Sequence, residues 1–214
     1  MNVIQALMTR SSIRAFLPDP IDRETMQKIM NAAIRTPSWA NSQPWEVYIA
    51  QGETLNAIKT EYTNNYVNGI NGSPEIARPA EWTEAAKKRQ QGLYPDMVRD
   101  CGDAAGQFGE LNRGLFNAPA VIYICMDKLL SQWSMFDLGA FAQSVMLTAV
   151  EFGLSTIPAI TLVNFPEVLH RILGIPNNLS VVLGIAIGYS DKDNGINNFR
   201  SARSPVEEVV RFFD

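Results

Sequence analysis

Apolar residues recur along this chain with two different periods, and the switches between them predict an order of elements. Val3, Ile4, Leu7 and Met8 stand at helical spacing and predict a short opening helix that ends near Arg10. A second stripe, Met26, Ile29, Met30, Ala33 and Ile34, follows Asp22, a capping residue type, and Glu24, which suits a first helical turn. That helix must stop before Pro37. Trp45 to Ala50 alternates and predicts a strand, after which Leu55, Ile58 and Tyr62 mark the inner face of a helix from about Thr54. Between Val67 and Gln91 the periodicity fails. Gly69, Gly72, Pro74 and Pro79 punctuate the stretch, and Glu81 to Gln91 is a polar helix at best. Asp96 to Phe116 is helical again, interrupted by Gly102, Gly106 and Gly109.

The second half is more apolar. Pro119 to Met126 is a continuous run rich in β-branched residues and predicts a buried strand. Ser131 to Leu154 is long, nearly uncharged and apolar all round, with Trp133, Phe136, Leu138, Phe141, Val145, Met146, Ala149, Val150 and Phe152. A helix of that kind is covered on every side, and an identical partner chain can supply part of the cover. Ser155 to Val163 and Leu179 to Tyr189 read as strands. The helix between them has Pro166 in its first turn, Gly174 just past its end and Pro176 as a stop. Strands joined by long helical connections indicate an α+β or α/β fold with one sheet. No second apolar core is visible, so residues 1–214 form one domain, with 67–116 as an excursion or lid.

Composition narrows the chemistry. Hydrophobic residues make up 46% and charged residues 19%, the balance of an ordinary globular domain. A net charge of -4 argues against nucleic acid as a partner, which needs positive charge clustered on one face. The single histidine, His170, has no partners for a zinc site or a Ser-His-Asp triad, and is expected at the solvent edge of its helix. Cys101 and Cys125 match no metal or CxxC spacing and are expected to be free thiols. The longest uncharged stretch, Ile172 to Ser190, is broken at Gly174–Asn178, so no membrane helix is expected. Met1 to Ile4 opens directly into helical periodicity without a basic leader, so the expected location is cytoplasmic. Neither GxGxxG nor GxxxxGK[ST] occurs.

Four segments are unusual for scaffold. Arg10-Ser11-Ser12-Ile13-Arg14 intersperses guanidinium and hydroxyl donors, a pattern suited to an anion, although a solvated basic turn is the commoner outcome. Pro37-Ser38-Trp39-Ala40-Asn41-Ser42-Gln43-Pro44-Trp45 brackets amides and hydroxyls between prolines, with tryptophans for a flat ring; a capped turn is its plainer reading. Thr156 to Thr161 carries Pro158 and Ala159 in a strand start, where irregular backbone can face a ligand. Asn197 to Arg203 adds Arg200 and Arg203, equally readable as surface charge.

In this order the pieces resemble the FMN-dependent nitroreductase family over nearly the whole chain. They are R-x-S-x-R at Arg10, Ser12 and Arg14, then P-S-x-x-N-S-Q-P-W from Pro37 to Trp45. The buried helix, L-G-I-P from Leu173 to Pro176, G-I-A-I-G-Y from Gly184 to Tyr189 and the late Arg203 follow.

The resemblance implies an α+β nitroreductase-like fold: a central mixed or antiparallel sheet flanked by helices, a long buried central helix and an intertwined homodimer with FMN at the subunit interface. It implies that Arg10, Ser12 and Arg203 hold the phosphate, with Ser11 and Arg200 beside them, and that Arg14 faces the flavin pyrimidine. Pro37, Ser38, Trp39 and Asn41 would reach the flavin of the other subunit, and Pro158 and Ala159 would lie near its reactive edge. No side chain is expected to act as nucleophile and no metal is expected, since the flavin carries the chemistry. NAD(P)H would be the donor in a ping-pong cycle, with nitroaromatics, quinones or other small aromatic oxidants as acceptors. Reductive dehalogenation or enone reduction on the same fold, and a flavin-binding protein without turnover, are the alternatives.

Overall fold

In the computed structural model, which describes residues 2–213, four strands build one sheet. They are β1 (Glu46–Gln51), β2 (Ala120–Asp127), β3 (Ser155–Ala159) and β4 (Leu179–Gly188), in the spatial order β1-β2-β4-β3 with every neighbouring pair antiparallel. The sheet is therefore the antiparallel member of the two expected forms. Its parallel contact is the isolated bridge from Ser12 to Thr156, outside the ladder.

β2 shows why its sequence is apolar without alternation. Val121, Tyr123 and Cys125 face one core, with Leu55, Ile58 and Tyr62 of α3 (Gly52–Val67) and Val168 and Leu169 of α7 (Pro166–Leu173). Ala120, Ile122, Ile124 and Met126 face the other, with Met26, Ile29 and Ala33 of α2 (Arg23–Ala33) and Leu138, Phe141 and Val145 of α6 (Gln132–Glu151). A sheet covered on both faces removes the polar half of each strand, and the result is three layers. Two glycines of β4 permit this packing. A Cβ on Gly184 would lie 2.4 Å from Leu162 Cβ, and one on Gly188 would lie 2.6 Å from Pro119 Cδ.

The remaining helices are α1 (Val3–Thr9), α4 (Glu84–Cys101), α5 (Phe108–Arg113) and α8 (Val206–Val209). The Asp22 side chain caps α2 by accepting from Thr25 N, and Gly174 ends α7 in the left-handed region at φ 66°. Among the described residues no helix is long and apolar enough to cross a membrane.

α6 buries one face; Trp133 and Phe136 on the other are 72% and 76% exposed, so one chain covers the helix only in part. Several expectations need correction. β3 stops at Ala159 and turns into a 3₁₀ segment, Ile160–Val163, rather than continuing as a strand. The polar stretch after Pro79 does not break at Gln91. α4 starts at its Thr83 cap and runs through Pro95 to Cys101, because Met97 is buried and anchors its second half.

His170 is not at a solvent edge. Its Nδ1 lies 2.9 Å from Ile175 O and its Nε2 3.2 Å from the Glu75 carboxylate, which also accepts from Val181 N at 2.6 Å. With Ser73 N donating to Asn164 O and Arg78 to Asn164 Oδ1, residues 72–78 are stitched to the body rather than free of it.

Candidate functional site

The segment Arg10–Arg14 leaves α1 and runs along the outer edge of β3, where Ile13 N donates to Thr156 O at 3.1 Å. An edge strand has unpaired backbone groups to offer, and here the opening segment takes one of them. From the other side the chain end closes in. Asn197, 6% exposed, accepts from Arg14 N at 2.7 Å and Ala15 N at 3.1 Å, and donates to Ala15 O and Asp191 O, both at 2.8 Å. One amide thus spends both ends fixing two segments 182 residues apart in sequence.

This clamp buries Arg14, whose residue is 8% exposed. Its Nη1 donates to Ser12 O at 2.9 Å, and its Cζ lies 4.9 Å from the centre of the Phe199 ring. Burial, opposed by the Cys101 thiol and reinforced by the nearby Arg200 charge, lowers the Arg14 pKa. Arg14 Nε and Thr156 Oγ1 are buried without a hydrogen-bond partner among the described residues. Buried donors are rarely left so.

Arg10 is half-buried, and its pKa is lowered first by burial and then by the charge of Arg203. The charge of Arg203 thus acts on Arg10 from the other end of the chain. Among the described residues neither is in an ion pair with a carboxylate. Ser11 and Ser12 lie between Arg10 and Arg14, half-buried. Arg200 is less available: its Nη1 donates to Asn197 O and Phe199 O. Arg203 bonds within its own turn, to Ser201 and Ala202, and stays exposed. Pro158 and Ala159 sit half-buried on β3, two and three residues beyond the Thr156 bridge.

The loop from Pro37 to Pro44 is elsewhere. Trp39 N donates to both carboxylate oxygens of Asp137 on α6, at 3.3 and 3.2 Å, and Gln43 N donates to Ser38 Oγ at 2.9 Å. Ala40, Asn41 and Gln43 hold φ of 50°, 56° and 45°, a strained left-handed backbone for side chains other than glycine. Trp39 is 71% exposed. Among the described residues no hydrogen bond joins this loop to Arg10–Arg14. The chain thus assembles three of the four sequence segments into one place and displays the fourth beside the uncovered face of α6.

Three positioning residues escaped the sequence reading. Asn197 stood in a segment noted for its arginines. Asp137 left a signal as the lone charge of α6 before Glu151. Asn112 of α5, which accepts from the Thr161 hydroxyl beyond β3, left none. Cys101 is half-buried, and the buried Cys125 thiol is pushed up to about 12, chiefly by burial, which makes it unreactive.

A model of the nitroreductase family matches residues 7–189. The 4-nitrobenzoate reductase of Pseudomonas putida is 29% identical over 212 residues, covering 95% of this chain and 92% of that protein. The chloronitrobenzene nitroreductase of Comamonas testosteroni is 29% identical over 215 residues, covering 95% and 93%. The crystal structure of the FMN and NADPH-dependent nitroreductase NfnB from Sphigopyxis sp. strain HMH matches with a TM-score of 0.91 over 100% of both chains, at 26% identity. A family match across the sheet and its flanking helices, and relatives alike over nearly their full length, place this chain in the nitroreductase family.

Proposed function

We propose that the protein is an FMN-dependent oxidoreductase that takes reducing equivalents from NAD(P)H and delivers them to nitroaromatic or quinone-type acceptors, working as a homodimer. The observation that carries this reading is the set of three arginines at the sheet edge: the buried Arg14, and Arg10 and Arg203, whose charges act on each other and which have no carboxylate partner among the described residues. A flavin mononucleotide fits the donors that remain. Its phosphate matches Arg10, Arg203 and the Ser11–Ser12 hydroxyls, and its ring matches the unpartnered Arg14 Nε and Thr156 Oγ1.

FMN, when bound, supplies the two-electron chemistry, accepting hydride from the nicotinamide and passing it to the acceptor. The protein's part is electrostatic and steric. Arg14 is fixed before any reaction by Asn197, the Ser12 carbonyl and Phe199, so its charge is available to a reduced, negative pyrimidine without reorganisation. Pro158 and Ala159 provide a rigid wall at the sheet edge. The Pro37–Pro44 loop of the partner subunit completes the site: it stands exposed beside Trp133 and Phe136, the surface a second chain would cover.

The test is the purified protein itself. It is expected to be yellow, to release one FMN per chain on denaturation and to oxidise NAD(P)H only when a nitroaromatic or quinone is present. Arg10→Ala and Arg203→Ala are each expected to weaken FMN binding about tenfold or more. A colourless protein, or undiminished FMN affinity in both variants, refutes the reading.

A further inference from the structure

The groove between α4 and the segment after Phe199 supports a closer identification of the electron donor; it rests on the function proposed above. The groove encloses about 660 Å³, with Ala85, Lys88, Arg89 and Leu93 on one wall and Arg203 and Pro205 among the residues of the other. The α4 residues are spaced three and four apart, so they form one face of the helix. That volume lies within the range of sites for small organic ligands.

Charge selects the occupant. Lys87 is spent on Glu84 at 2.7 Å, and Asp96, which lies in the groove, is spent on Arg99. Lys88, Arg89 and Arg203 have no carboxylate partner among the described residues, against Glu208 as the acid left on the rim. The walls between these charges are low and apolar at Ala85, Gly92, Leu93 and Pro205, which suits a planar heterocycle, and a guanidinium such as that of Arg89 stacks on one. A compact dianion attached to a flat ring answers both features. Arg203, which lines the groove, also acts electrostatically on Arg10 of the proposed flavin phosphate site. NADPH differs from NADH by one such dianion, the phosphate on its adenosine 2′ oxygen. We propose that Lys88 and Arg89 bind the 2′-phosphate of NADPH and thereby make the enzyme selective for NADPH over NADH.

The experiment uses the FMN-loaded protein and the double variant Lys88→Gln/Arg89→Gln. The KM for NADPH is expected to rise about tenfold or more, while the KM for NADH, kcat with either donor and FMN content stay as in the wild type. Lys88→Arg alone, which keeps the charge, is expected to retain the preference. Calorimetry gives a readout free of turnover: adenosine 2′,5′-bisphosphate binds the wild type, AMP binds far more weakly, and the double variant loses the difference. Equal shifts for both nicotinamides, no shift for either, or equal binding of bisphosphate and AMP overturns the proposal. A wild type that oxidises neither nicotinamide refutes the functional reading instead, and the calorimetric comparison then decides the groove alone.

Discussion

Asn197 shows how one side chain can hold a site it need not touch. Its carbonyl oxygen satisfies the backbone N–H groups of Arg14 and Ala15, and its amide ties Ala15 to Asp191. Removing that oxygen leaves buried donors unpaired, at about 1–3 kcal/mol each. Asn197→Ala is therefore expected to lose about 2–4 kcal/mol of stability, read as a lower urea midpoint at unchanged slope. It is also expected to weaken FMN binding, because Arg14 loses its fixed position. A midpoint equal to that of the wild type would show that the clamp contributes nothing. Such a role is invisible in sequence, because an amide that bridges segments 183 positions apart leaves no local pattern. Arg10, Arg14 and Arg203 could be picked out because the residue type itself advertises anion chemistry, whereas their mutual placement depends on the sheet edge.

Among the elements, the strap at residues 72–78 and helix α7 make the clearest coupled pair. Burial works to raise the Glu75 carboxyl, but the Val181 N–H, His170 and Lys128 together hold it below the usual carboxylate range. A carboxyl lowered by folding stabilises the fold above its unfolded pKa of about 4.3, and that contribution is lost as pH falls through the folded value. Glu75→Gln should thus be less stable than the wild type at pH 7, with the gap closing on acidification below about pH 4. Urea midpoints across that range check it, and a gap that does not change with pH would contradict the ion-pair account.

Element types and order were legible wherever apolar spacing was strong, as in α2, β2, α6 and α7. The strap and α4 were not. Their sequence is polar, and what orders them is contact with Asn164, His170 and the neighbourhood of Met97 rather than any propensity of their own. The left-handed turn at Leu115, Phe116 and Asn117, with φ of 52°, 60° and 57°, was likewise hidden. None of those residues is a glycine, and the burial of Leu115 and Phe116 is what holds the conformation.

At the scale of the whole molecule, the surface and the site lead to the same requirement. Trp133 and Phe136 on α6, Ile4 and Met8 on α1, and Phe212 and Phe213 at the chain end are each at least 72% exposed. A single chain seldom leaves so many large apolar side chains in water, and the Pro37–Pro44 loop is tied to Asp137 of α6 with no hydrogen bond, among the described residues, to its own Arg14. In the proposed dimer, Arg14 and Asn41 of one chain serve opposite sites. Arg14→Ala removes the buried cation, and Asn41→Gly removes a side chain while keeping a backbone that glycine adopts at φ 56° without strain. Each variant alone is expected to be a poorly active homodimer. When the two are unfolded together and refolded, a heterodimer gathers both lesions into one site and leaves the other site intact. Half of the population is expected to be heterodimer on random pairing, so activity should recover to roughly a quarter of wild type, one working site in two for about half the dimers. Size-exclusion chromatography checks that the active species is a dimer, and tagging one variant allows the mixed form to be isolated. If purified heterodimers are no more active than the parent homodimers, Arg14 and Asn41 serve the same chain's site, and the apolar surface must be covered in some other way.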